Sequence, residues 1–265
     1  MKQENILSKL TTACPWQDTL RLYDTLGSTN TLAKELAKAG APQGTVVIAD
    51  RQTGGRGRMG RQFHSPAGQG IYLSVILRPY CRAEQLMHLT CAVAVAMCDA
   101  VEKVAGLRPQ VKWINDLILG NRKVGGILTE LSLDGVMVDF AVVGIGINCN
   151  QQAEDFPAEL QEIAGSLATA TGKSVDREAL AAAMIDAFYS LSTTLLSAKD
   201  AYMTRYRADC ITLGRKVAVH NAAGTYEAVA EDVDGDGSLC VRLADGTVRT
   251  VSSGEVSVRG LYGYI

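Results

Sequence analysis

The spacing of apolar residues along the first part of the chain predicts both helices and strands. The stretch GSTNTLAKELAKAG has a helical stripe of leucine and alanine, with Ser28, Thr29 and Asn30 as capping candidates and a glycine as a stop. It therefore predicts a short amphipathic helix. TVVIAD at 45–50 and GIYLSVIL at 70–77 are continuous apolar runs of strand length, so they predict buried strands on either side of a glycine-rich loop.

The middle of the chain continues this mixture. An apolar helix is predicted over 83–105, and the stretch QVKWINDLILGNRKVGGILTEL predicts strands that are joined near Gly120 and Asn121. VMVDFAVVGIGIN predicts one further strand. Helices are predicted near 159–171 and 176–198.

The pattern changes after about residue 208. Short apolar runs, KVAVH, EAVAEDV, SLCVRL and TVRTVS, are separated by Gly, Asp and Asn, and they show no helical period. This texture predicts a small all-β domain. We therefore expect an α+β domain over residues 1–208, followed by a β domain over residues 209–265.

Composition and charge narrow the class of protein. The chain has 265 residues, of which 47% are hydrophobic and 20% charged, and its formal net charge is −2, as in an ordinary globular protein. A protein that binds duplex nucleic acid usually has an excess of Lys and Arg over Asp and Glu or a basic stripe on its surface. This chain has neither, apart from one basic loop. The seven scattered cysteines show no CxxC spacing, so neither a disulfide framework nor a zinc site is indicated.

The sequence also bears on location. The start, MKQENILSKL, lacks the apolar core of a signal peptide, and the run LTCAVAVAMCDAV is too short to span a bilayer. A reducing compartment suits the cysteines. We expect a cytoplasmic protein with no membrane partner.

Several familiar ligand-binding motifs are absent or incomplete in this sequence. Asp232, Asp234 and Asp236 match the opening of an EF-hand loop, but the twelfth position is Leu243, and the flanks predict strands, so a hairpin turn is the better interpretation. There is no GxxxxGK[ST] phosphate loop. GIGIN at 144–148 lacks the third glycine of a dinucleotide fingerprint. The histidines are dispersed, without a nucleophile motif beside them, and are interpreted as structural.

The sequence GGRGRMGR, at 54–61, is the strongest candidate for chemistry. Its glycines give up backbone entropy on ordering, so a structural role alone explains it poorly. Arginine forks onto phosphate or carboxylate oxygens, and glycine lets the backbone approach a ligand closely. Taken alone, however, the run is better explained by a solvated basic turn.

Four segments in order, GSTN, RQTGGRGRMGRQFHSP, KWINDLILGNRKVGGI and VVGIGINCN, resemble the biotin–protein ligases. The family pattern has Trp where Phe63 stands and Pro where Ile114 stands. Some relatives carry an N-terminal DNA-binding domain, and the roughly 25 residues before GSTN are too few to bury such a core, so a monofunctional ligase is expected.

This resemblance implies a fold and a reaction. The fold would be a mixed β-sheet catalytic domain with helices packed on it, like that of class II aminoacyl-tRNA synthetases, followed by a small SH3-like β-barrel. Biotin's carboxylate would attack the α-phosphorus of ATP with Mg²⁺ present, releasing pyrophosphate. The biotinyl-5′-AMP would then acylate a lysine of a biotin carboxyl carrier domain. A homodimer is possible, and no DNA is expected.

The resemblance also assigns roles to residues. Lys123 and Arg58 are the candidate catalytic residues, since cations can neutralise two reacting anions without acting as bases. For Gly126, Gly144 and Gly146, close strand packing is an alternative that stays open, and for Asp116 the alternative is a turn or cap. The biotin site would comprise Ser28, Thr29, Asn30, Gln52, Arg56, Gly57, Arg58, Lys123, Gly126, Gly144 and Gly146. The ATP site would comprise Arg58, Arg61, Phe63, Lys112, Asn115, Asp116, Asn148 and Arg259, with no resident metal.

Two alternatives remain at this stage. A lipoate–protein ligase or octanoyltransferase shares the fold, but the GRGRMGR and KWIND motifs are not expected there. A nucleic-acid-binding regulator could use the basic loop and the β domain, and strong, salt-dependent binding without turnover would identify it.

Overall fold

The protein is built on two β-sheets with helices packed on the first. The computed structural model describes residues 1–11, 13–221 and 224–252, and the backbone of 257–260. The first sheet has seven strands in the order β1-β2-β3-β7-β6-β5-β4, and the second has five strands in the order β11-β10-β9-β8-β12. In the first sheet, β1 and β2 are parallel and the remaining neighbours are antiparallel.

The elements alternate along the first part of the chain and are all strands near its end. The strands are β1 (Leu20–Leu26), β2 (Val46–Gln52), β3 (Gly70–Leu77), β4 (Gln110–Lys112), β5 (Asp116–Leu119), β6 (Arg122–Asp134), β7 (Met137–Asn148), β8 (Lys216–Asn221), β9 (Gly224–Val233), β10 (Leu239–Arg242), β11 (Val248–Val251) and β12 (Ser257–Gly260). The helices are α1 (Gln3–Leu7), α2 (Thr29–Lys38), α3 (Leu89–Ala105), α4 (Leu167–Thr171), α5 (Arg177–Thr194) and α6 (Lys199–Asp209).

The two faces of the first sheet are covered differently. Odd positions of β3 and β7, such as Leu73 and Ile145, belong to the main core with α3 and α5. Even positions, such as Ile76 and Val142, pack against Ala33 of α2 in a separate apolar cluster. Because side chains alternate along a strand, the even face passes from this apolar cluster to Ser74 and then to glycines, which leaves a recess beside α2.

Most of the elements predicted in the first 150 residues are confirmed. The helix predicted in GSTNTLAKELAKAG is α2, and Ser28 is its N-cap. The apolar runs at 45–50 and 70–77 correspond to β2 and β3. The turn near Gly120 and Asn121 joins β5 to β6, and both residues have positive φ. The pattern did not reveal β1, whose exposed and buried positions do not alternate regularly.

The prediction of a helix over 159–171 is wrong. That stretch contains a 3-10 turn at Ala158–Leu160 and then the five-residue helix α4, which Ser166 caps by accepting from the Thr169 amide. The predicted helix over 176–198 ends earlier, at Thr194, and α6 follows it. The loop between the 3-10 turn and α4 is tied to β6, since the Lys123 amide donates to Ile163 O and the Gly165 amide donates to Lys123 O.

The second sheet confirms the predicted small β domain. The Asp-rich stretch is the turn between β9 and β10, where Asp234 Oδ1 accepts from the amides of Asp236 and Ser238 at 2.9 Å. This turn contacts the first domain. Trp113 Nε1 donates to Gly237 O at 2.9 Å, and Lys199 pairs with Asp236 at 2.6 Å.

The apolar helix is part of the core. By length and composition alone the stretch Ala83–Ala105 could cross a membrane, but 72% of its most apolar window is buried inside the protein. Its neighbours there are α5 and α6. All seven cysteines are free, and Cys240 is the most accessible of them, since the other six are buried.

Candidate functional site

The recess on the even face of the first sheet is a cavity of about 690 Å³. It lies between the sheet, the N-terminus of α2, the loop after β2 and the segment before α4. With the exception of Arg259, every residue to which the sequence assigned a site role lies on its wall. Arg259 lies in β12, and its side chain is outside the described residues.

The polar end of the cavity is a hydrogen-bonded group of side chains at the start of α2. Gln52 Oε1 accepts from the amide of Thr29 at 2.9 Å and lies 3.2 Å from its hydroxyl, and Gln52 Nε2 donates to Ser65 Oγ. Ser74 Oγ is 2.6 Å from Asn30 Oδ1. Ser28, Thr29 and Asn30 are buried, and these bonds fix the orientation of Thr29 and Asn30.

Three glycines form the floor of the cavity, and we call Gly126, Gly144 and Gly146 the glycine floor. The strand register places Gly126 opposite Gly146. A Cβ atom at Gly144 would collide with the Asn30 amide, and one at Gly146 would collide with the Phe63 ring. The floor is therefore flat because other side chains of the site occupy the space above it.

The loop at 54–61, which we call the arginine loop, is a small hairpin over one side of the cavity. The Gly57 amide donates to Arg61 O at 2.7 Å, and the Phe63 amide donates to Gly55 O at 3.0 Å. Its tip contains Met59 and Gly60, both with positive φ. Backbone bonds thus define the hairpin, while its side chains reach across the cavity.

Arg58 reaches the far wall of the cavity. Its Nη1 donates to Asn115 Oδ1 at 3.1 Å, and Asn115 is held in turn by Ile127, whose carbonyl oxygen accepts from Asn115 Nδ2 at 3.0 Å. Burial lowers the pKa of the Arg58 guanidinium from its ordinary value. A cation in such poorly solvated surroundings gains from an anionic ligand.

Lys123 and Asp116 lie side by side on β6 and β5. Lys123 Nζ is 2.6 Å from Asp116 Oδ1, and both side chains are partly buried. Arg56, Arg58, Arg61 and Lys112 line the same cavity. The described wall is therefore strongly cationic, which suits a ligand with several negative charges.

The cavity wall offers few ligands for a metal ion. Among the described residues, no three His, Cys, Asp or Glu side chains form a group that could hold a metal ion. Asp116 is the acidic side chain on the described wall. Mg²⁺ often binds through one or two carboxylates together with substrate phosphates, so the wall fits a metal that arrives on a polyphosphate.

Asn148 has a structural task in this arrangement. Its Nδ2 donates to Gly165 O at 2.9 Å, and its Oδ1 accepts from Gln151 Nε2 at 3.3 Å. Asn148 is 5% exposed. It therefore fixes the segment before α4 against β7 at the edge of the cavity.

Two features of the site were not predicted from the sequence: an apolar part of the cavity wall and one acidic residue beside the cavity. Phe156, Leu160 and Ile163 line the cavity. Most of this segment had been predicted only as a helix, with no role in the site. His64, interpreted as structural, also lies on the wall. Glu130 was missed because it belongs to no recognised motif, yet it contacts the side chains of two predicted site residues, Asn30 and Arg56.

Comparison with known proteins covers both sheets. Residues 22–148 match the biotin/lipoate A/B protein ligase family, and residues 212–259 match the biotin protein ligase C-terminal domain. The chain is 35% identical over 244 residues to the bifunctional ligase/repressor BirA of Bacillus subtilis, covering 89% of this chain and 73% of the relative. It is 33% identical over 236 residues to the biotin–[acetyl-CoA-carboxylase] ligase of Mycobacterium tuberculosis, covering 87% and 85%.

The fold is similar to that of solved structures as well. One is the biotin protein ligase from Aquifex aeolicus in complex with biotin and ATP, with a TM-score of 0.77 and 28% identity. The match covers 91% of this chain and 98% of that chain. The similarity therefore extends over nearly all of both chains.

Proposed function

The chain belongs to the biotin protein ligase family and is a ligase of that kind, and on that premise we propose that the cavity carries both half-reactions of an ATP-dependent biotinylation. In the first, a biotin carboxylate oxygen forms a bond to the α-phosphorus of ATP, and the bond to the β-phosphate bridging oxygen breaks. Pyrophosphate leaves, and biotinyl-5′-AMP remains. In the second, a lysine amine of a biotin carboxyl carrier domain attacks the acyl carbon, and AMP leaves.

The observation that carries this proposal is the pairing of a polar end with a cationic end in one cavity. The hydroxyl and amide groups of Ser28, Thr29 and Gln52 suit the ureido group of biotin, because a buried polar ligand needs matched hydrogen bonds. Asn30 supports this end from below, since its amide is bonded to Ser74, Leu128 and Glu130.

The cationic end suits the reacting anions. We assign the biotin carboxylate to Arg56, the backbone at Gly57 and Arg58, and the charge that develops between carboxylate and α-phosphate to Lys123. Fixed cations lower the cost of bringing two anions together, and they need no reorganisation during the reaction. The Lys123–Asp116 pair holds the ammonium in place before the ligands bind.

The nucleotide is assigned to the remaining wall. We assign the phosphates to Arg61, Lys112 and Asn115. The nucleoside is assigned to Phe63 and Arg259, and the Arg259 side chain is outside the described residues. The adenine is assigned to the wall near Asn148. Both ends of the Asn148 amide are engaged within the protein, so Asn148 would also position the segment before α4 beside the adenine. When bound, Mg²⁺ neutralises phosphate charge, with Asp116 as its protein carboxylate.

The proposed acceptor is the carrier domain of a carboxylase, and the proposed location is the cytoplasm, where ATP is supplied. A domain boundary near residue 208 is proposed because α6 ends at Asp209 and β8 begins at Lys216. A homodimer is supported by the exposed apolar residues Leu131, Leu133 and Val136 at the β6–β7 hairpin. No role for DNA is proposed.

The test is exchange of labelled pyrophosphate into ATP, which reports adenylation without an acceptor. We expect exchange that depends on biotin and Mg²⁺ and is weak with lipoate. Equal or faster exchange with lipoate, or none with biotin, would contradict the proposal. Transfer to a purified carrier domain then tests the second half-reaction.

A further inference from the structure

Glu130 of β6 uses both of its carboxylate oxygens for donors on α2. Lys34 Nζ is 2.9 Å from Oε1, and Asn30 Nδ2 is 3.0 Å from Oε2. Arg56 Nη1 lies farther away, at 3.4 Å, and the Arg56 side chain is 48% exposed. Glu130 is 19% exposed and is not among the described residues that line the cavity. Its two shorter bonds connect it to α2, whose first residues do line the cavity.

The Glu130 carboxylate acts only as an acceptor at neutral pH. Burial raises the pKa of its carboxyl, but the hydrogen bonds from Lys34 and Asn30 outweigh burial, so the pKa lies below its ordinary value. The ionised group has no hydrogen to give. A second acceptor, Leu128 O, lies 3.3 Å from Asn30 Nδ2. The nitrogen end of the Asn30 amide must face these two acceptors, so its oxygen end faces Ser74.

Ser74 has one hydroxyl hydrogen and two acceptors within reach. Its Oγ is 2.6 Å from Asn30 Oδ1 and 2.8 Å from Thr29 Oγ1. Ser74 is fully buried, so water does not compete for the hydrogen. The nearer amide oxygen of Asn30 receives it, and Thr29 Oγ1 is left free of that hydrogen.

The Thr29 hydroxyl is thereby available to a ligand as an acceptor. Its own hydrogen faces Gln52 Oε1 at 3.2 Å, and that oxygen also accepts from the Thr29 amide. Thr29 lines the cavity. A ligand atom that bonds to Thr29 Oγ1 must therefore bring a hydrogen, as an N–H group does.

We propose that Glu130 and Ser74 are positioning residues that fix the direction of hydrogen bonding at the polar end of the cavity. Glu130 orients Asn30, and Asn30 takes the Ser74 hydrogen. Thr29 Oγ1 then stays open to an N–H of the ligand. The inference rests on the proposed function, in which that N–H belongs to the ureido group of biotin. The dithiolane ring of lipoate carries no N–H and gains nothing from this acceptor.

Glu130→Gln tests the proposal because a carboxamide has one acceptor oxygen where the carboxylate has two. In this variant the Lys34 ammonium holds the single oxygen, since hydrogen bonds from a charged donor are the stronger ones. The new NH₂ group then faces the NH₂ group of Asn30, and the Asn30 amide turns over. Ser74 loses its acceptor and donates to Thr29. The Kd for biotin should therefore rise about three- to tenfold, the range for one hydrogen bond.

Lys34→Met in the same chain supplies a rescue. Without the ammonium, the single amide oxygen at position 130 is free to accept from Asn30. The double variant, Glu130→Gln with Lys34→Met, should therefore bind biotin within about twofold of the parent. A role that depends on the charge of Glu130 predicts no recovery, because the double variant lacks that charge as well.

Calorimetric titration with biotin measures these affinities without turnover. Lys34→Met alone should bind like the parent, since the carboxylate of Glu130 still accepts from Asn30. Glu35→Gln is the matched control, because it removes a carboxylate from an exposed position of α2 and should leave the Kd unchanged. An unchanged Kd in Glu130→Gln, or a double variant as weak as Glu130→Gln, would overturn the proposal.

Two biotin analogues, each with one ureido N–H replaced by N–CH₃, identify the group that Thr29 meets. In the parent, the analogue methylated at that nitrogen loses a hydrogen bond and also meets a steric cost. The steric cost is the same in every variant, so its affinity ratio to biotin should shrink about three- to tenfold in Glu130→Gln and return in the double variant. Ratios that are equal in all three proteins for both analogues would overturn the proposal.

A ligand-free measurement separates this inference from the proposed function. In protein labelled with ¹⁵N-asparagine, the side-chain amide resonance of Asn30 should move in Glu130→Gln and return toward its parent position in the double variant. A resonance that does not move, or that does not return, would overturn the role of Glu130. If the parent binds no biotin, the proposed function fails, and this resonance still decides whether Glu130 orients Asn30.

Discussion

At the scale of single residues, Lys123 is the side chain on which the proposed chemistry depends most. Lys123→Ala should fold normally but adenylate biotin about 10²–10³-fold more slowly, because a preorganised donor to developing charge is lost. Single-turnover formation of biotinyl-5′-AMP is the measurement. Lys199→Ala is a matched control, since Lys199 also pairs with an aspartate at 2.6 Å but lies outside the cavity wall. A parent-like rate in Lys123→Ala would remove the residue from its role.

The same scale shows why some site residues could be predicted and others could not. Lys123 and Arg58 stand in the RKVGG and GRGRMGR segments, and the resemblance of these segments to the biotin–protein ligases assigned their roles. Glu130 carries no local signal, and its partners Asn30 and Arg56 are 100 and 74 residues away in sequence. Asn30 was assigned to biotin, and that assignment stays a prediction. The bonds of its amide to Ser74 and β6 could be seen only in the folded structure.

At the scale of elements, the arginine loop has to contain a reactive intermediate as well as bind substrates. A mixed anhydride is attacked by water and by any amine, so the site must stay closed until the acceptor arrives. Arg58→Gly removes the tie to Asn115. We expect this variant to release biotinyl-5′-AMP faster, with a smaller effect on the adenylation rate, and to label lysines of a bystander protein.

Two measurements decide this prediction, the dissociation rate of the adenylate and the biotin bound to bystander albumin. Arg51→Gly serves as a control for loss of a basic side chain from the same region, since Arg51 is exposed at the end of β2 and is not on the cavity wall. If both values match the parent in Arg58→Gly, the loop is held closed by other contacts.

Elements differ in how well the sequence predicted them. Strands β2, β3 and β7 are continuous apolar runs, so hydrophobicity alone located them. The segment 159–171 was predicted as one helix, but residues 161–165 are not helical. These residues instead form backbone bonds to Lys123 of β6, and a long-range partner of that kind has no local signature.

At the scale of the whole molecule, the second sheet is joined to the cavity wall through Trp113. Its indole donates to Gly237 O in the β9–β10 turn, and both groups are buried there. Trp113→Phe leaves that carbonyl without its donor, so we expect a loss of about 1–3 kcal/mol in the free energy of unfolding. Denaturant unfolding is the measurement.

Lys199→Ala offers a comparison on the same turn. It removes an ion pair with Asp236 whose side chains are 32% and 54% exposed, so its cost should stay below about 1 kcal/mol. Equal losses in Trp113→Phe and Lys199→Ala would show that the buried bond does not dominate the contact between the two domains.

The glycine floor limits how this ligase can acquire a different substrate. Any side chain at Gly144 or Gly146 would collide with Asn30 or Phe63. Even a single methyl group at the floor would therefore disturb other residues of the site. The rim is less constrained, because Met59 is 61% exposed and the apolar segment from Phe156 to Ile163 belongs to no regular sheet. Evolution or laboratory selection toward biotin analogues should therefore accumulate changes around the rim and leave the floor as it is.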